Sequence, residues 1–127
     1  MRLLYKMNQE LIFFNSRDQL LRIGIDDIVY FEADGNLTNI VTANKLKGTV
    51  NMNLGKMEQF LLLNFTQRAS TFLRVGKRFI INMSHIYLIN VPKQKLVLSD
   101  YRTFTFQLPV SKDALRKVKE LVLINKM

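Results

Sequence analysis

Two short stretches of this 127-residue sequence carry basic side chains at points where one apolar or helical pattern ends and another begins. Arg74–Arg78 (RVGKR) separates two apolar segments, and Ser111-Lys112 precedes a helical pattern. Lys and Arg side chains bind phosphates and displace the counterions of nucleic acids, while Gly76 permits a sharp turn that could carry Lys77 into a groove. Both stretches therefore indicate phosphate contact. On composition alone, a solvated basic loop is the alternative.

The distribution of charge favours a polyanionic partner. The chain has 19 Lys and Arg against 10 Asp and Glu, a net charge of +9. Residues 1–44 contain four basic and six acidic residues, a net charge of −2, so residues 45–127, with fifteen and four, carry +11. No basic amphipathic stretch dominates, so nucleic acid is preferred to an anionic membrane surface as the partner.

Residues suited to catalysis or metal binding do not form a recognisable group. The sequence has no cysteine and one histidine, His85, and the adjacent Asp26-Asp27 is typical of a turn. We therefore expect no enzyme activity, no cofactor and no metal site. The lack of cysteine suits a reducing cytoplasm, and the N-terminal residues lack an apolar run of signal-peptide length. We expect a cytoplasmic protein without membrane insertion.

Short strands must position the basic stretches. Strands are predicted at residues 11–14, 20–25, 27–33, 37–43, 45–50, 72–75, 79–81, 86–91, 95–98 and 103–108, from their apolar and β-branched composition. Turn residues separate them, including Asp34-Gly35-Asn36 and the Pro92 segment. Thr38 and Asn39 are expected to be exposed, because neither face of their strand is cleanly apolar near the hairpin tip.

Two helices interrupt this pattern. Residues 54–65 follow the candidate N-cap Asn53 and place Met57 in an apolar stripe that is expected to face the core. A second helix is predicted to begin after Ser111. The pattern predicts one mainly β domain over residues 1–127, a sandwich or barrel that opens with a hairpin within residues 1–24.

Three ordered blocks of the sequence resemble the LytTR-type DNA-binding domains of bacterial transcriptional regulators. The blocks are residues 27–36 (DIVYFEADGN), 72–82 (FLRVGKRFIIN) and 108–112 (LPVSK), within a resemblance that spans about residues 25–121. The resemblance implies an elongated antiparallel β-sheet or sandwich with one short internal helix and a C-terminal helix. It implies a response-regulator output domain of phosphorelay signal transduction, which binds double-stranded DNA sequence-specifically through loops inserted into successive major grooves.

The family's contact positions fall on three segments of this chain. By position they correspond to Thr38 and Asn39, to Lys77 and Arg78, and to Ser111 and Lys112. The predicted DNA-binding site also includes Asn36, Arg74 and Arg116. Lys77 occupies the family's reading position, so we expect Lys77 to read a base and Arg78 to bind phosphate.

The sequence departs from the family at several positions. The family usually has His at the position of Gly76, Ser at the position of Arg78 and an aromatic residue at the position of Leu37. The connection at residues 66–71 is also longer than usual. These differences put base readout in doubt. Asn82, a family hallmark, is expected to hold a turn through side-chain hydrogen bonds.

The resemblance leaves several partners open. About 24 residues precede it, too few for a receiver domain, so the chain could be a regulator without its own phosphoswitch, a partner for a separate sensor protein, or a domain of a longer parent. A homodimer on DNA is a family expectation. The alternatives are a protein-interaction module that has lost DNA specificity and an RNA-binding β module. Against the RNA-binding module, the aromatic residues Phe13, Phe79, Phe104 and Phe106 are mostly assigned to the core.

Overall fold

The computed structural model describes residues 10–65 and 71–125, which form ten strands and two α-helices. The strands are β1 (Leu11–Asn15), β2 (Leu20–Gly24), β3 (Ile28–Asp34), β4 (Leu37–Thr42), β5 (Lys47–Val50), β6 (Phe72–Val75), β7 (Phe79–Asn82), β8 (Ile86–Asn90), β9 (Lys95–Ser99) and β10 (Thr105–Pro109). The helices are α1 (Leu54–Asn64) and α2 (Lys112–Asn125). With 45% of these residues in strands, the mainly β class is confirmed. The predictions for residues 1–9 and for the long connection at residues 66–70 lie outside the described residues.

The strands form three antiparallel sheets. A central sheet has the order β5-β4-β3-β7-β6, a smaller sheet has the order β10-β9-β8, and β1 and β2 form a separate hairpin. Strands β3 and β4 are joined at Gly35-Asn36, where Gly35 has a φ of +61°. Glycine adopts this left-handed conformation without a Cβ clash, which is why the predicted Asp-Gly turn forms.

A bulge in β3 allows the central sheet to be buried on both faces. The register shifts between Ile28 and Tyr30, so Val29 and Tyr30 pack into one hydrophobic cluster while Ile28 and Phe31 pack into another. A regular strand would alternate strictly between faces. The bulge therefore places one additional apolar side chain against the second layer.

The first hydrophobic cluster lies between the central sheet and a cover of α1 and the β1-β2 hairpin. Helix α1 begins after Asn53, whose side chain accepts a hydrogen bond from the Lys56 amide at 2.8 Å, as predicted for an N-cap. Met57 and Leu61 of this helix are fully buried. The predicted core-facing stripe is thereby confirmed.

The second cluster lies between the opposite face of the central sheet and a cover of β8, β9, β10 and α2. Along β10, Phe106 is half-buried and Leu108 is buried, whereas Thr105 and Gln107 are exposed, so the predicted alternation is confirmed. Leu115 and Val118 bring α2 onto the same cluster. Among the described residues, no helix has the length and apolar content needed to cross a membrane.

Two polar side chains of β4 lie in the interior. The prediction that Thr38 and Asn39 are exposed is wrong, because β4 lies between β3 and β5 and the chain after β5 passes over it. The Thr38 hydroxyl donates to the carbonyl of Met52 at 2.7 Å. Asn39 Oδ1 accepts a hydrogen bond from the Thr49 hydroxyl, also at 2.7 Å. These bonds compensate for the loss of hydration on burial.

Strand β10 begins two residues later than predicted because an aspartate organises the preceding turn. The Asp100 carboxylate accepts hydrogen bonds from the Thr103 hydroxyl and from the backbone amides of Arg102, Thr103 and Phe104. These bonds, led by the Thr103 hydroxyl, hold the pKa of Asp100 well below its usual range. The turn therefore includes Thr103 and Phe104, which the sequence assigned to the strand.

Candidate nucleic-acid interface

The three basic or polar segments meet at one end of the central sheet. The Ala33 amide donates to the carbonyl of Arg78 at 2.8 Å, which places the turn between β6 and β7 beside the β3-β4 hairpin tip. On its other side the turn faces α2, since a Cβ added to Gly76 would lie 3.9 Å from the Ala114 Cβ. Segments distant in sequence thus form one surface.

We call this surface the loop surface, and define it by the exposed residues Asn36, Lys77, Arg78, Ser111, Lys112 and Arg116. Thr38 and Asn39 are absent from it, because both are buried, with Thr38 bonded to the chain after β5 and Asn39 bonded to β5. The hairpin therefore presents Asn36 at its tip. The opposite end of the sheet has its own exposed cations, Lys45 and Arg102.

Arg74 is used within the protein to shape the middle turn. Its Nη1 lies 3.0 Å from Glu58 Oε1 of α1, in an ion pair whose side chains are partly buried. Its Nε donates to the carbonyl of Gly76 at 3.1 Å, and its Nη2 donates to the carbonyl of Lys77 at 3.3 Å. All three guanidinium nitrogens thus contact protein atoms, and Arg74 links α1 to the turn.

Arg78 is exposed but held in a defined orientation. Its Nη2 lies 2.7 Å from Glu32 Oε2 on β3, and its guanidinium carbon lies 4.9 Å from the ring centroid of Phe79. The charge of Glu32 also adds to the effect of burial in raising the pKa of Tyr30. The turn therefore presents a guanidinium with a carboxylate beside it.

Lys77 differs from both arginines. Its side chain is exposed, and its ammonium group forms no hydrogen bond or ion pair with another described residue. Gly76 precedes it with a φ of +62°, the conformation that turns the backbone sharply at this point. Lys77 and Ser111 both line a surface groove of about 560 Å³ between the turn and α2.

The start of α2 forms the third part of the loop surface. Ser111 Oγ accepts a hydrogen bond from the Ala114 amide at 3.3 Å, so Ser111 is the predicted cap. Lys112 is exposed, and Arg116 Nη1 lies 3.3 Å from Asp113 Oδ1. The remaining amides of the first helical turn and the helix dipole favour an anion here, while Asp113 opposes one.

Sequence reasoning missed the carboxylates that pair with the arginines. Glu32 meets Arg78 because β3 pairs with β7 and places Glu32 opposite Phe79, next to Arg78, and nothing local in the sequence indicates this pairing. The contact of Glu58 with Arg74 likewise depends on how α1 packs against the sheet. The arginines of the predicted site therefore have acidic partners that the residue types alone do not reveal.

Asn82 and His85, two further residues singled out in the sequence, both contact other groups of the protein. Asn82 is buried, donates to the carbonyl of Ile28 at 3.1 Å and accepts from the Ser84 amide at 3.0 Å, which confirms its predicted role in a turn. His85 stands edge-on to Phe104, with ring centroids 5.1 Å apart. Burial lowers the pKa of His85, and the charge of Asp100 partly offsets this effect.

Residues 10–65 and 71–125 contain no group of three or more potential metal ligands.

The fold, with its basic and polar loops at one end, defines a DNA-binding domain of the LytTR class. A family model described as the LytTr DNA-binding domain matches residues 18–123, and the chain belongs to this family. One similar solved structure is the LytTr DNA-binding domain of a Bacillus cereus protein assigned as a methyl-accepting/DNA response regulator. It shares 22% sequence identity with a TM-score of 0.63, over 88% of this chain and 95% of that chain. A search of curated proteins found no match.

This membership supports DNA binding and transcription regulation as the class of function. The family is defined by a DNA-binding domain and is not a class of enzymes. The solved structure, at its low sequence identity, supports the fold, including the antiparallel sheets and the C-terminal helix.

Proposed function

We propose that this chain binds double-stranded DNA sequence-specifically and acts as a bacterial transcriptional regulator. The loop surface enters successive major grooves along one face of the DNA. The observation that carries this proposal is the common position of Asn36, Lys77 and Ser111, which come from three separate parts of the sequence to one end of the sheet. Helix α2 packs its apolar face against the second cluster and presents the exposed Lys112 and Arg116 beside the loops.

Phosphate contact is assigned first to the unpaired lysines. Lys77 and Lys112 are exposed and their ammonium groups have no acidic partner among the described residues. A compact ammonium group on a flexible stem contacts phosphate as a point charge and needs little orientation. The Ser111 hydroxyl and the amides at the start of α2 are further phosphate donors. Asn36 at the hairpin tip is placed to hydrogen-bond a base edge or the backbone.

Regulation and assembly are part of the same proposal. The similar Bacillus cereus structure comes from a protein assigned as a response regulator, which is consistent with an output role in signal transduction for this chain. A separate sensor protein would then supply the signal, and two copies could lie side by side on DNA. Half-sites about 10 base pairs apart would indicate this arrangement.

The direct test is a selection of bound duplex fragments from bacterial genomic DNA, followed by titrations of the enriched fragments. We expect enrichment of a common sequence, with affinity that weakens steeply as salt increases. If roughly four to six phosphates are contacted, the slope of log K against log salt should be about −4 to −5. An equal affinity for enriched fragments and random duplex, or a slope near zero in the specific complex, would refute the proposal.

A matched pair of variants tests whether the loop surface is the DNA-binding surface. Lys77→Ala should weaken binding to all duplexes and flatten the salt slope by about one, because one phosphate contact is lost. Arg102→Ala removes the same charge at the opposite end of the sheet and should leave the slope nearly unchanged. If the two substitutions weaken binding and flatten the slope equally, the DNA does not bind at the loop surface. Tighter binding to single-stranded RNA than to duplex DNA would support the RNA-binding alternative, and capture of a sensor without DNA affinity at low salt would support the protein-interaction alternative.

A further inference from the structure

Arg78 combines exposure with a fixed orientation, which is unusual for a surface arginine. Its side chain is 56% exposed, yet Glu32 holds Nη2 at 2.7 Å and the Phe79 ring lies 4.9 Å from the guanidinium carbon. The backbone beside it is also fixed, since its carbonyl accepts the Ala33 amide. An arginine held in this way loses little side-chain entropy when it contacts a ligand.

The Glu32 carboxylate determines which ligand suits Arg78. A phosphate near this guanidinium would meet the negative charge of Glu32, which is 27% exposed and points to the same surface. The major-groove edge of guanine has no net charge and offers two acceptors, O6 and N7, which match the fork of an arginine. Nε and Nη1 of Arg78 have no partner among the described residues, and Nη2 carries a second hydrogen besides the one that Glu32 accepts. That second hydrogen, together with Nε or Nη1, completes a two-pronged donor for guanine.

The geometry points to Arg78 as the residue of the middle loop that reads a guanine, and to Glu32 as the residue that positions it. This inference rests on the proposed DNA binding. It reverses the division expected from the sequence, in which Lys77 reads a base and Arg78 binds phosphate. Lys77 instead contacts phosphate, because its ammonium group is exposed and not oriented by any described neighbour.

The test is a selection from a pool of randomised duplexes with the wild-type chain and five variants. The wild type should enrich sequences with a guanine at one position per half-site. Arg78→Ala should lose this preference and bind the enriched duplex about 5- to 150-fold more weakly, the range expected for one bidentate base contact. Arg78→Lys keeps the charge but not the fork, so it should retain affinity for random duplex while the guanine preference is lost.

Glu32→Gln separates positioning from simple stability. It removes a negative charge near the DNA, so affinity for random duplex should increase, while discrimination at the guanine position should fall at least about threefold because Arg78 is no longer held by a full charge. If Glu32 only stabilised the fold, the affinities for random duplex and for the enriched duplex would change in the same direction. The Asp26→Asn control makes the same charge change before β3, at the opposite end of the sheet, and should not affect discrimination.

The assignment of Lys77 is tested in the same selection. Lys77→Ala should weaken all sequences alike and leave the guanine preference intact. The inference is overturned if Lys77→Ala abolishes that preference or if Arg78→Ala and Arg78→Lys, folded by circular dichroism, retain it. An unchanged discrimination in Glu32→Gln would remove the positioning role. If the wild type itself enriches no sequence, the proposed function fails, a result distinct from failure of the Arg78 assignment alone.

Discussion

Replacing Arg74 by alanine distinguishes a direct DNA contact from a residue that supports the turn. The structure uses Arg74 to join Glu58 of α1 to the carbonyls of Gly76 and Lys77, at 3.0, 3.1 and 3.3 Å. The side chains of the ion pair are 30% and 41% exposed, so solvent screens part of their attraction. We expect the mutation to lower the free energy of unfolding and to loosen the turn that presents Lys77.

The size of this effect follows from the separate contacts. Each of the two hydrogen bonds to carbonyls should contribute about 0.5–1 kcal/mol, at the lower end for partly exposed groups. The ion pair adds about 0.5 kcal/mol after screening. Arg74→Ala should therefore cost about 2 kcal/mol, whereas Glu58→Gln, which leaves the carbonyl contacts in place, should cost about 0.5 kcal/mol.

Urea denaturation followed by circular dichroism measures both variants. With an m-value of about 2 kcal/mol per molar, the midpoint should fall by about 1 M for Arg74→Ala and by about 0.25 M for Glu58→Gln. DNA affinity, measured where both variants are folded, should fall in Arg74→Ala with little change in the salt slope. An unchanged urea midpoint together with a slope flattened by about one would refute the supporting role and identify Arg74 as a phosphate contact.

Three further predictions concern the scaffold. Gly76→Ala and Gly35→Ala, both at φ near +60° and without a close Cβ contact, should each lower the free energy of unfolding by about 1 kcal/mol, and clearly unequal losses in urea titrations would contradict this. Asn82→Ala should cost about 2 kcal/mol in the same assay by leaving buried partners unsatisfied, whereas the exposed control Arg102→Ala should stay within about 0.5 kcal/mol of the wild type. Burial lowers the pKa of His85 below its ordinary 6.5, so its contribution to stability is complete above about pH 6.5 and is lost as the pH falls from that value through the folded-state pKa. His85→Phe should remove this pH dependence, and a wild-type urea midpoint that rises on acidification through this window would count against it.

Local chemistry explains why the strands and turns could be predicted. Gly35 permits the left-handed conformation at the hairpin tip, and the Val91–Gln94 turn follows the proline signal, with the Gln94 amide donating to the Val91 carbonyl at 3.0 Å. Ser111 and Asn53 cap the two helices through their own side chains. Each of these features depends on residues within about four positions of one another, the range in which composition carries a structural signal.

The site was harder to predict because its chemistry depends on long-range packing. Thr38 has a type and position suited to base contact, yet its hydroxyl bonds to the carbonyl of Met52, 14 residues away. Glu32 and Arg78 are 46 residues apart and meet only because β3 pairs with β7. Residue types indicate which groups could bind DNA, while the sheet register decides which of them remain available.

The division between paired arginines and unpaired lysines has a consequence for salt dependence. Arg78 and Arg116 each have a carboxylate within 3.3 Å, so their binding to phosphate would release fewer counterions than the charge of the sequence suggests. Lys77 and Lys112 of the loop surface are exposed without such a partner among the described residues, and so is Lys117, which lines the same groove as Lys77 and Ser111. Three phosphate contacts correspond to a salt slope of about −3 for one copy, so a slope of about −4 to −5 requires contributions from a second copy.

Titrations of a single half-site and of a paired site therefore test the separate roles of arginine and lysine. The slopes of log K against log salt should be about −3 on the single half-site and about −5 on the paired site, because a second copy adds its own lysine contacts. A slope of about −5 on the single half-site would instead mean that Arg78 and Arg116 leave their carboxylates and bind phosphate. In that case the carboxylates would not direct the arginines away from the DNA backbone, and the assignment of phosphate contacts to the lysines alone would be wrong.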